Sequence, residues 1–450
     1  MLNPILRTLT NTKAGDNMSI EVITVLTIAL LFVFFSMGLE IGFSMALAGF
    51  IGFAAVVNVE AALKLVANDV YTVFTSYSFT VIPLFVLMGQ FGASSKMARS
   101  LYDSAYKFIG HIPGGLAIGT VGAATIFKAI CGSSSATAAT FATIAVPEMD
   151  RYGYDKRLSC GTVATVGTLG VLMPPSVVLI IYGLLTDTSI GKLFLAGILP
   201  GLMIAFSFVV TLYGWCKIDP KMGPKGEKSS WRERIASLPN VGWVIAIFIF
   251  VVGGLMKGIF TPTEAGSVGA FVVLLLAVAK RDIKFKSVID ALSDSLCIAC
   301  MAMTLLAGAT ILGHFFAVTR MPYIVGELLG NAGLNRVVIM VIIFVIYLIG
   351  GSFIEDLAFL ILATPIFLPL VLKLGYDPIW FGVIVAVVTM IGIILPPMAI
   401  NVFIVSGVTK VPIGTIYKGI YPYIVGMYIC LFLLLFFPEI SLWLPTLVMK

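Results

Sequence analysis

The chain contains 450 residues, of which 60% are hydrophobic and only 11% are charged, and its mean hydropathy is +1.09. Soluble domains are roughly half apolar and about a quarter charged, so this composition excludes a soluble globular protein and indicates a polytopic membrane protein. The formal net charge is +6, but the sequence lacks the basic cluster interleaved with aromatic residues that binds nucleic acid. We therefore expect the lipid bilayer, and no nucleic acid, as a partner.

Apolar runs of about 20 residues, the length that a transmembrane helix needs, divide the chain into segments. We expect residues 1–19 to be a polar lead-in and not a signal peptide, because they lack an apolar region and a small-residue cleavage site. The predicted crossings of the first half (residues 20–216) lie near 20–36, 43–57, 78–95, 158–184 and 192–216. A polar cytoplasmic linker at 217–239 precedes the second half (residues 240–437), whose predicted crossings lie near 240–257, 264–279, 297–318, 378–408 and 415–437. Residues 438–450 form a C-terminal tail.

The two halves are an internal repeat. Pro174 and Pro175 recur 222 positions later as Pro396 and Pro397, and this repeat offset also joins the two "GYD" motifs that begin at Gly153 and Gly375. Because each half is predicted to cross the membrane five times, an odd number, the halves must be inverted relative to each other. With the N-terminus outside, 18 of the 28 Lys and Arg residues fall in inside segments, as the positive-inside rule requires.

Two apolar stretches begin and end on one side of the membrane under this topology. We predict that residues 112–149 and 334–372 are re-entrant helical hairpins that enter from opposite faces. Their tips are expected at "AICGSSSATAAT" (residues 129–140) and "IGGSFIEDLAF" (residues 349–359).

The two Pro-Pro pairs are predicted to break helices at membrane depth. Proline removes a backbone donor and clashes with the preceding turn, and non-helical backbone survives in a membrane only when it is buried in protein or lines a wet cavity. Inverted repeats, broken helices and paired tips are together typical of secondary transporters. We expect the prolines Pro174, Pro175, Pro396 and Pro397 to hold backbone carbonyl groups open for a ligand.

Hydroxyl and carbonyl oxygens near these breaks suit a small hard cation, and we predict two sodium sites. The first comprises Ser133, Ser134, Gly170 and Met173. The second comprises Gly351, Gly392, Leu395 and Met398. The alternative is that the small residues only allow close helix packing, as they do in many membrane proteins.

Three polar residues in the same stretches are predicted to bind substrate: Ser135, Asp356 and Asn401. Asp356 is a carboxylate inside an apolar stretch, which indicates a function by default, and it would bind a substrate hydroxyl, pair with a cation or carry a proton. Asn401 would face the substrate or make an interhelical hydrogen bond. Lys128, just before the first tip, would attract an anion or extend to the interface.

Several motifs resemble the large membrane subunit, of DctM type, of tripartite ATP-independent periplasmic (TRAP) transporters. They are "GIFTPTEAG" (residues 258–266), the serine-rich tip followed by "PEMDRYGYDKRLS", "GTLGVLMPPSVVLIIYG" (residues 167–183), "TSIGKLFLAGILPG" (residues 188–201) and "PIFLPL" (residues 365–370). The resemblance extends from about Met18 to Phe437.

This resemblance implies an all-α, elevator-type transporter of the bacterial cytoplasmic (inner) membrane, in which a transport domain that carries both hairpins moves against a scaffold. It implies sodium-driven uptake of an organic acid, such as a sialic acid, a C4-dicarboxylate or a sugar acid. The partners would be a small four-helix membrane subunit, here expected as a separate or removed chain, and a periplasmic binding protein. Residues 60–76 and 287–297 resemble the family's scaffold arm helices, and the family's sodium sites fall on the tip and Pro-Pro residues named above.

Two alternatives remain open at this point. A self-sufficient sodium- or proton-coupled symporter of organic anions would share the architecture but work without a binding protein. An intramembrane enzyme is disfavoured because it needs a nucleophile, acid pair or metal motif at reactive spacing, and neither H-E-x-x-H nor G-x-G-D occurs in the sequence. We therefore do not expect an enzyme.

Overall fold

The computed structural model describes residues 19–331, 333–397 and 399–449, without the side chains of residues 328–331. Within these ranges all regular secondary structure is helical. Eight of the described helices are long and apolar enough to cross a membrane. The prediction of an all-α polytopic membrane protein is thereby confirmed.

The first half of the chain forms ten helices. They are α1 (Ile20–Ser36), α2 (Ile41–Val56), α3 (Val59–Thr75), α4 (Val81–Ser94), α5 (Met97–Ile109), α6 (Gly115–Phe127), α7 (Ser134–Arg151), α8 (Lys156–Gly167), α9 (Val177–Leu185) and α10 (Ile190–Ile218). Short 3₁₀ turns occur at Tyr77–Thr80 and Thr168–Val171.

The described part of the second half also forms ten helices. They are α11 (Trp231–Met256), α12 (Pro262–Ala279), α13 (Phe285–Val318), α14 (Met321–Asn331), α15 (Arg336–Phe353), α16 (Asp356–Lys373), α17 (Pro378–Gly392), α18 (Ile400–Thr409), α19 (Ile413–Phe436) and α20 (Glu439–Val448).

The repeat that is visible in the sequence is also present in the helices. Helices α7 and α16 have 18 residues each, and the repeat offset separates both their first and their last residues. The next helices, α8 and α17, also begin one repeat offset apart, at Lys156 and Pro378. Before each of them stands a glycine in the left-handed region, Gly153 with φ 75° and Gly375 with φ 81°, a conformation that glycine adopts without steric cost.

Helix α13 differs from the sequence-based description. An arm helix at 287–297 and a separate crossing at 297–318 were expected, but α13 is one continuous helix of 34 residues. Neither Pro nor Gly occurs between Phe285 and Ala302, so no helix-breaking residue separates the amphipathic start from the apolar remainder. The other expected arm helix, at 60–76, corresponds to α3.

Two segment boundaries also lie elsewhere than expected. Helix α11 begins at Trp231, inside the expected linker, because Ser230 and Glu233 form a reciprocal capping box that starts the helix there. The expected C-terminal tail contains α20, which packs against α10.

Glycines allow the helices that surround the broken segments to approach closely. A Cβ atom added at Gly161 of α8 would lie 2.6 Å from the carbonyl carbon of Gly419 in α19. A Cβ atom at Gly49 of α2 would lie 2.8 Å from the Cα of Leu312 in α13. Both pairs join one half of the chain to the other, and α7 also packs against α18. Helices of the two halves therefore pack directly against each other, so segments that are far apart in the sequence lie close together in the structure.

Candidate transport site

The helices are interrupted at both Pro-Pro pairs. In the first half, α8 ends at Gly167, the 3₁₀ turn follows, and Ser176 caps α9 by accepting a hydrogen bond from the amide of Leu179 at 3.3 Å. In the second half, α17 ends at Gly392 and α18 begins at Ile400. All four prolines lie in these interruptions, and the bond within each pair is cis.

The two predicted hairpins each contain a turn between two helices. The first tip joins α6 to α7, and the Ser133 hydroxyl caps α7 by accepting from the Ala136 amide at 3.2 Å. The second tip joins α15 to α16 through Ile354 and Glu355, and Glu355 occupies the capping position of α16. Ser133 and Glu355 are therefore equivalent residues of the two repeats, since the repeat offset separates them.

Both tips and both breaks line one cavity of about 130 Å³. Four helices begin at this cavity, and the first two residues of each belong to its wall: Ser134 and Ser135 of α7, Val177 and Val178 of α9, Asp356 and Leu357 of α16, and Ile400 and Asn401 of α18. Backbone amide groups at a helix N-terminus have no partner within the helix and carry partial positive charge. Four such ends around one small space form a site that favours an anionic group.

The three residues predicted to bind substrate, Ser135, Asp356 and Asn401, all line this cavity. The side chain of Asn401 is fully buried, and its amide donates to the Ser134 hydroxyl at 3.1 Å and to the Ala164 carbonyl at 3.1 Å. The interhelical hydrogen bond that the sequence allowed for Asn401 is thus present, and it joins α18 to α7 and α8.

Two of the four residues of the first predicted sodium site, Ser133 and Gly170, lie against the side chain of Lys128. The ammonium group of Lys128 donates to the carbonyl oxygen of Ser133 at 2.8 Å, and a Cβ atom at Gly170 would lie 3.0 Å from its Cε. The Ser134 hydroxyl donates to the Gly167 carbonyl at 3.0 Å. Met173 instead packs its side chain against Gly201 of α10, where a Cβ atom would lie 3.0 Å from its Cγ.

Lys128 itself does not reach the membrane interface, as one sequence-based alternative proposed. Its side chain is 0% exposed, and it does not belong to the wall of the cavity. Of the two alternatives for Lys128, the interfacial one is therefore wrong, because the side chain turns back into the protein toward the tip that follows it.

The second predicted sodium site brings two glycines into backbone contact. A Cβ atom added at Gly392 would lie 2.9 Å from the carbonyl carbon and 3.0 Å from the carbonyl oxygen of Gly351. The amide of Leu395 donates to the Gly392 carbonyl at 3.0 Å, so the chain turns directly after this contact. Met398, the fourth predicted ligand, lies outside the described residues.

Three apolar wall residues come from helices outside the tips and breaks, and the sequence-based prediction did not include them: Val86 of α4, and Ile298 and Met301 of α13. No sequence signal distinguishes them, because they are ordinary apolar residues of apolar helices. Glu355 also lines the cavity, so the described part of its wall has two carboxylates and no basic side chain. Among the described residues, no cluster of His, Cys, Asp and Glu could hold a transition metal.

A family model described as "Tripartite ATP-independent periplasmic transporter, DctM component" matches residues 28–440. The chain belongs to the DctM family. The resemblance noted from its motifs is thereby confirmed, and the chain is a multi-pass protein of the bacterial inner membrane.

Three relatives illustrate the range of this DctM family. The C4-dicarboxylate TRAP transporter large permease protein DctM of Pseudomonas aeruginosa is 34% identical over 86% of this chain and 90% of that protein. The sialic acid TRAP transporter large permease protein SiaM of Vibrio cholerae is 31% identical over 91% of this chain and 95% of that protein. The isethionate TRAP transporter permease protein DctMQ of Oleidesulfovibrio alaskensis is 33% identical over 92% of this chain but only 65% of its own length.

The fold of this DctM-family chain also resembles a solved structure, that of the YdaH transporter of Alcanivorax borkumensis, described as having an unusual topology. The TM-score is 0.63 at 15% sequence identity, and the similarity covers 86% of this chain and 90% of that one. At this identity the likeness concerns the fold alone.

Proposed function

We propose that this DctM-family permease takes up an organic acid together with sodium, after a periplasmic binding protein has delivered the acid. The observation that carries the proposal is the single cavity at which four helices begin, two from each repeat. Its position at both helix breaks is where secondary transporters with repeats bind substrate and coupling ions.

The cavity suits a carboxylate or a similar anion. Each helix N-terminus contributes about half a positive charge, and an anion at one of them gains about 0.3–2 kcal/mol depending on burial. The hydroxyl groups of Ser133 and Ser135 lie 3.2 Å apart, so one of them donates to the other and the second O–H can donate to a substrate at the first tip. Dicarboxylate, sialic acid and isethionate, after which the three relatives are named, are all acids, which supports an organic acid as the substrate.

The two carboxylates at the second tip explain why a cation would be needed. Glu355 and Asp356 lie in the same wall as the four helix ends, so an unaccompanied anionic substrate would be repelled by them. A sodium ion near Gly351, Gly392 and the backbone of Leu395 would reduce this repulsion. Binding of the ion and binding of the acid would then favour each other, which is the thermodynamic requirement for coupled transport. Asp356 would contribute charge, and Asn401 would hold the two repeats around the substrate.

We further propose that alternating access follows an elevator mechanism. The tips, breaks and half-helices supply most of the cavity wall, whereas Val86, Ile298 and Met301 come from α4 and α13. Helices α2 and α13 pack closely against each other through small residues and would belong to the static scaffold, with α3 as an arm. A small four-helix subunit would join this scaffold; the DctMQ relative, which is much longer than this chain, supports such a partner.

Reconstitution tests this proposal. The chain would be placed in proteoliposomes with its small subunit, and uptake of labelled C4-dicarboxylates, sialic acid and isethionate would be followed with purified binding protein on the outside. We expect uptake only with both an inward sodium gradient and the binding protein, and none when choline replaces sodium. Uptake without the binding protein would favour the self-sufficient symporter, and uptake indifferent to sodium would refute sodium coupling.

A further inference from the structure

We propose that Lys128 is a tethered cation that occupies the first of the two repeat-related cation positions, so that mobile sodium binds only at the second. This inference rests on the proposed function, because it concerns the number of sodium ions that the transporter couples. It is based on the position of the ammonium group, on the lack of a paired acid, and on the difference between the two repeats.

The ammonium group of Lys128 lies beside two of the four residues that were predicted to bind the first sodium ion. The residue follows α6 directly, its side chain is 0% exposed, and its Nζ donates to the Ser133 carbonyl oxygen at 2.8 Å. The same side chain runs along Gly170, with Cδ 3.2 Å from the position of an added Cβ atom. It therefore connects the first tip to the first break, as a sodium ion bound by Ser133 and Gly170 would do.

The charge of this lysine has no acidic partner among the described residues, since no ion pair involves Lys128. The first tip, residues 129–140, contains no Asp or Glu. A carbonyl oxygen is thus the observed partner of the ammonium group. Carbonyl and hydroxyl oxygens are also the ligands of small hard cations, so the lysine and a sodium ion would compete for the same atoms.

The second repeat has the opposite charge pattern. At the repeat offset, the position equivalent to Lys128 is Gly350, and the positions equivalent to Ser133 and Ser134 are Glu355 and Asp356. The first tip is therefore contacted by a basic side chain, whereas the second tip has two acidic residues and the sequence has no basic residue between 337 and 372. Only the second tip therefore needs a cation from solution. The inference explains why the two repeats, which otherwise match, differ in charge at their tips.

Lys128→Ala tests the inference by removing the tethered charge and opening its space. Sodium binding would be counted on the purified chain in nanodiscs with radioactive sodium, and choline would keep the ionic strength constant. We expect the number of bound sodium ions per chain to rise by one in Lys128→Ala. The matched control is Thr137→Val, which removes a neutral hydrogen bond to the same Ser133 carbonyl, made at 3.0 Å, and should leave the number unchanged. An equal number of ions in wild type and a folded Lys128→Ala variant would overturn the inference.

The wild type alone keeps the test decisive if Lys128→Ala does not fold. It should bind one sodium ion per chain in the same assay, whereas two bound sodium ions per chain would overturn the inference. Failure of the proposed function gives a different result. In that case the wild type would bind no sodium and its uptake would not respond to a sodium gradient.

Discussion

The contact between Gly392 and Gly351 provides a prediction whose magnitude follows from the structure. A Cβ atom at Gly392 would lie 2.9 Å, 3.0 Å and 3.2 Å from the carbonyl carbon, oxygen and Cα of Gly351. Backbone cannot turn away as a flexible side chain does, so Gly392→Ala must push α17 from the end of α15. Such overpacking costs typically about 1–3 kcal/mol, while the change from glycine to alanine in a helix returns up to about 1 kcal/mol. We expect a net loss of about 1–2 kcal/mol.

The same substitution at the other glycine of the pair should behave differently. A Cβ atom at Gly351 would lie 3.9 Å from the Cα of Thr389 and 4.0 Å from that of Gly392, which is ordinary contact. Gly351→Ala is therefore expected to fold with unchanged or slightly raised stability. A further control is Gly407→Ala in α18, where no atom lies within 4 Å of the added methyl group.

The assay is thermal unfolding of the purified variants in detergent at several sodium concentrations. Gly392→Ala should lower the unfolding temperature and weaken sodium binding at least about tenfold, which corresponds to about 1.4 kcal/mol, because the separated backbones no longer present their carbonyl groups together. Gly351→Ala and Gly407→Ala should retain the wild-type unfolding temperature to within a few degrees. If Gly392→Ala unfolds and binds sodium like Gly351→Ala, the reasoning from this close contact is refuted.

Three further substitutions test the cavity. Asn401→Ala removes two buried hydrogen bonds between α18 and the first repeat. At about 1 kcal/mol or more for each bond, the substitution should lower the free energy of unfolding by about 2–4 kcal/mol and abolish uptake. A folded variant with normal uptake would contradict this. Asp356→Asn should reduce sodium-dependent uptake into proteoliposomes at least about tenfold, while the purified variant keeps the size-exclusion elution volume of the wild type. Unchanged uptake kinetics would exclude a role for the charge of Asp356. Gly132→Ala would place a methyl group 3.3 Å from the Pro175 carbonyl carbon and closer still to its oxygen. We therefore expect slower uptake and a lower unfolding temperature than in the wild type. An uptake rate and unfolding temperature equal to those of the wild type would argue against contact between the first tip and the first break.

Much of the structure of the hairpin tips can be predicted from the sequence. The repeat offset places Ser133 opposite Glu355 by counting alone, and the helices that follow both residues begin at equivalent positions. Helix starts follow from local chemistry, since Ser133 caps α7 and proline pairs interrupt α8–α9 and α17–α18. Such features depend on residues a few positions apart, so the sequence contains enough information to predict them.

Other parts of the site depend on contacts between distant segments. The hydrogen bond between Asn401 and Ser134 joins residues 267 positions apart, and nothing near either residue indicates the partner. The direction of the Lys128 side chain was left open by the sequence, because a lysine next to a membrane hairpin extends to the interface or turns inward depending on what packs around it. The cavity wall from Ile298 and Met301 has no local signal of any kind.

By itself, the sequence determined that the chain is an all-helical membrane protein built from a duplicated unit, with helix breaks at the proline pairs and polar groups at two tips. Hydropathy, proline positions and repeat spacing are properties of the chain that do not require a partner. The tertiary structure alone decided that four helix ends meet at one cavity, that Gly392 touches Gly351, and that the buried ammonium group of Lys128 donates to the first tip. These facts arise from close packing between the two interlocked halves, where the approach of backbones to within a few ångströms depends on every helix between them.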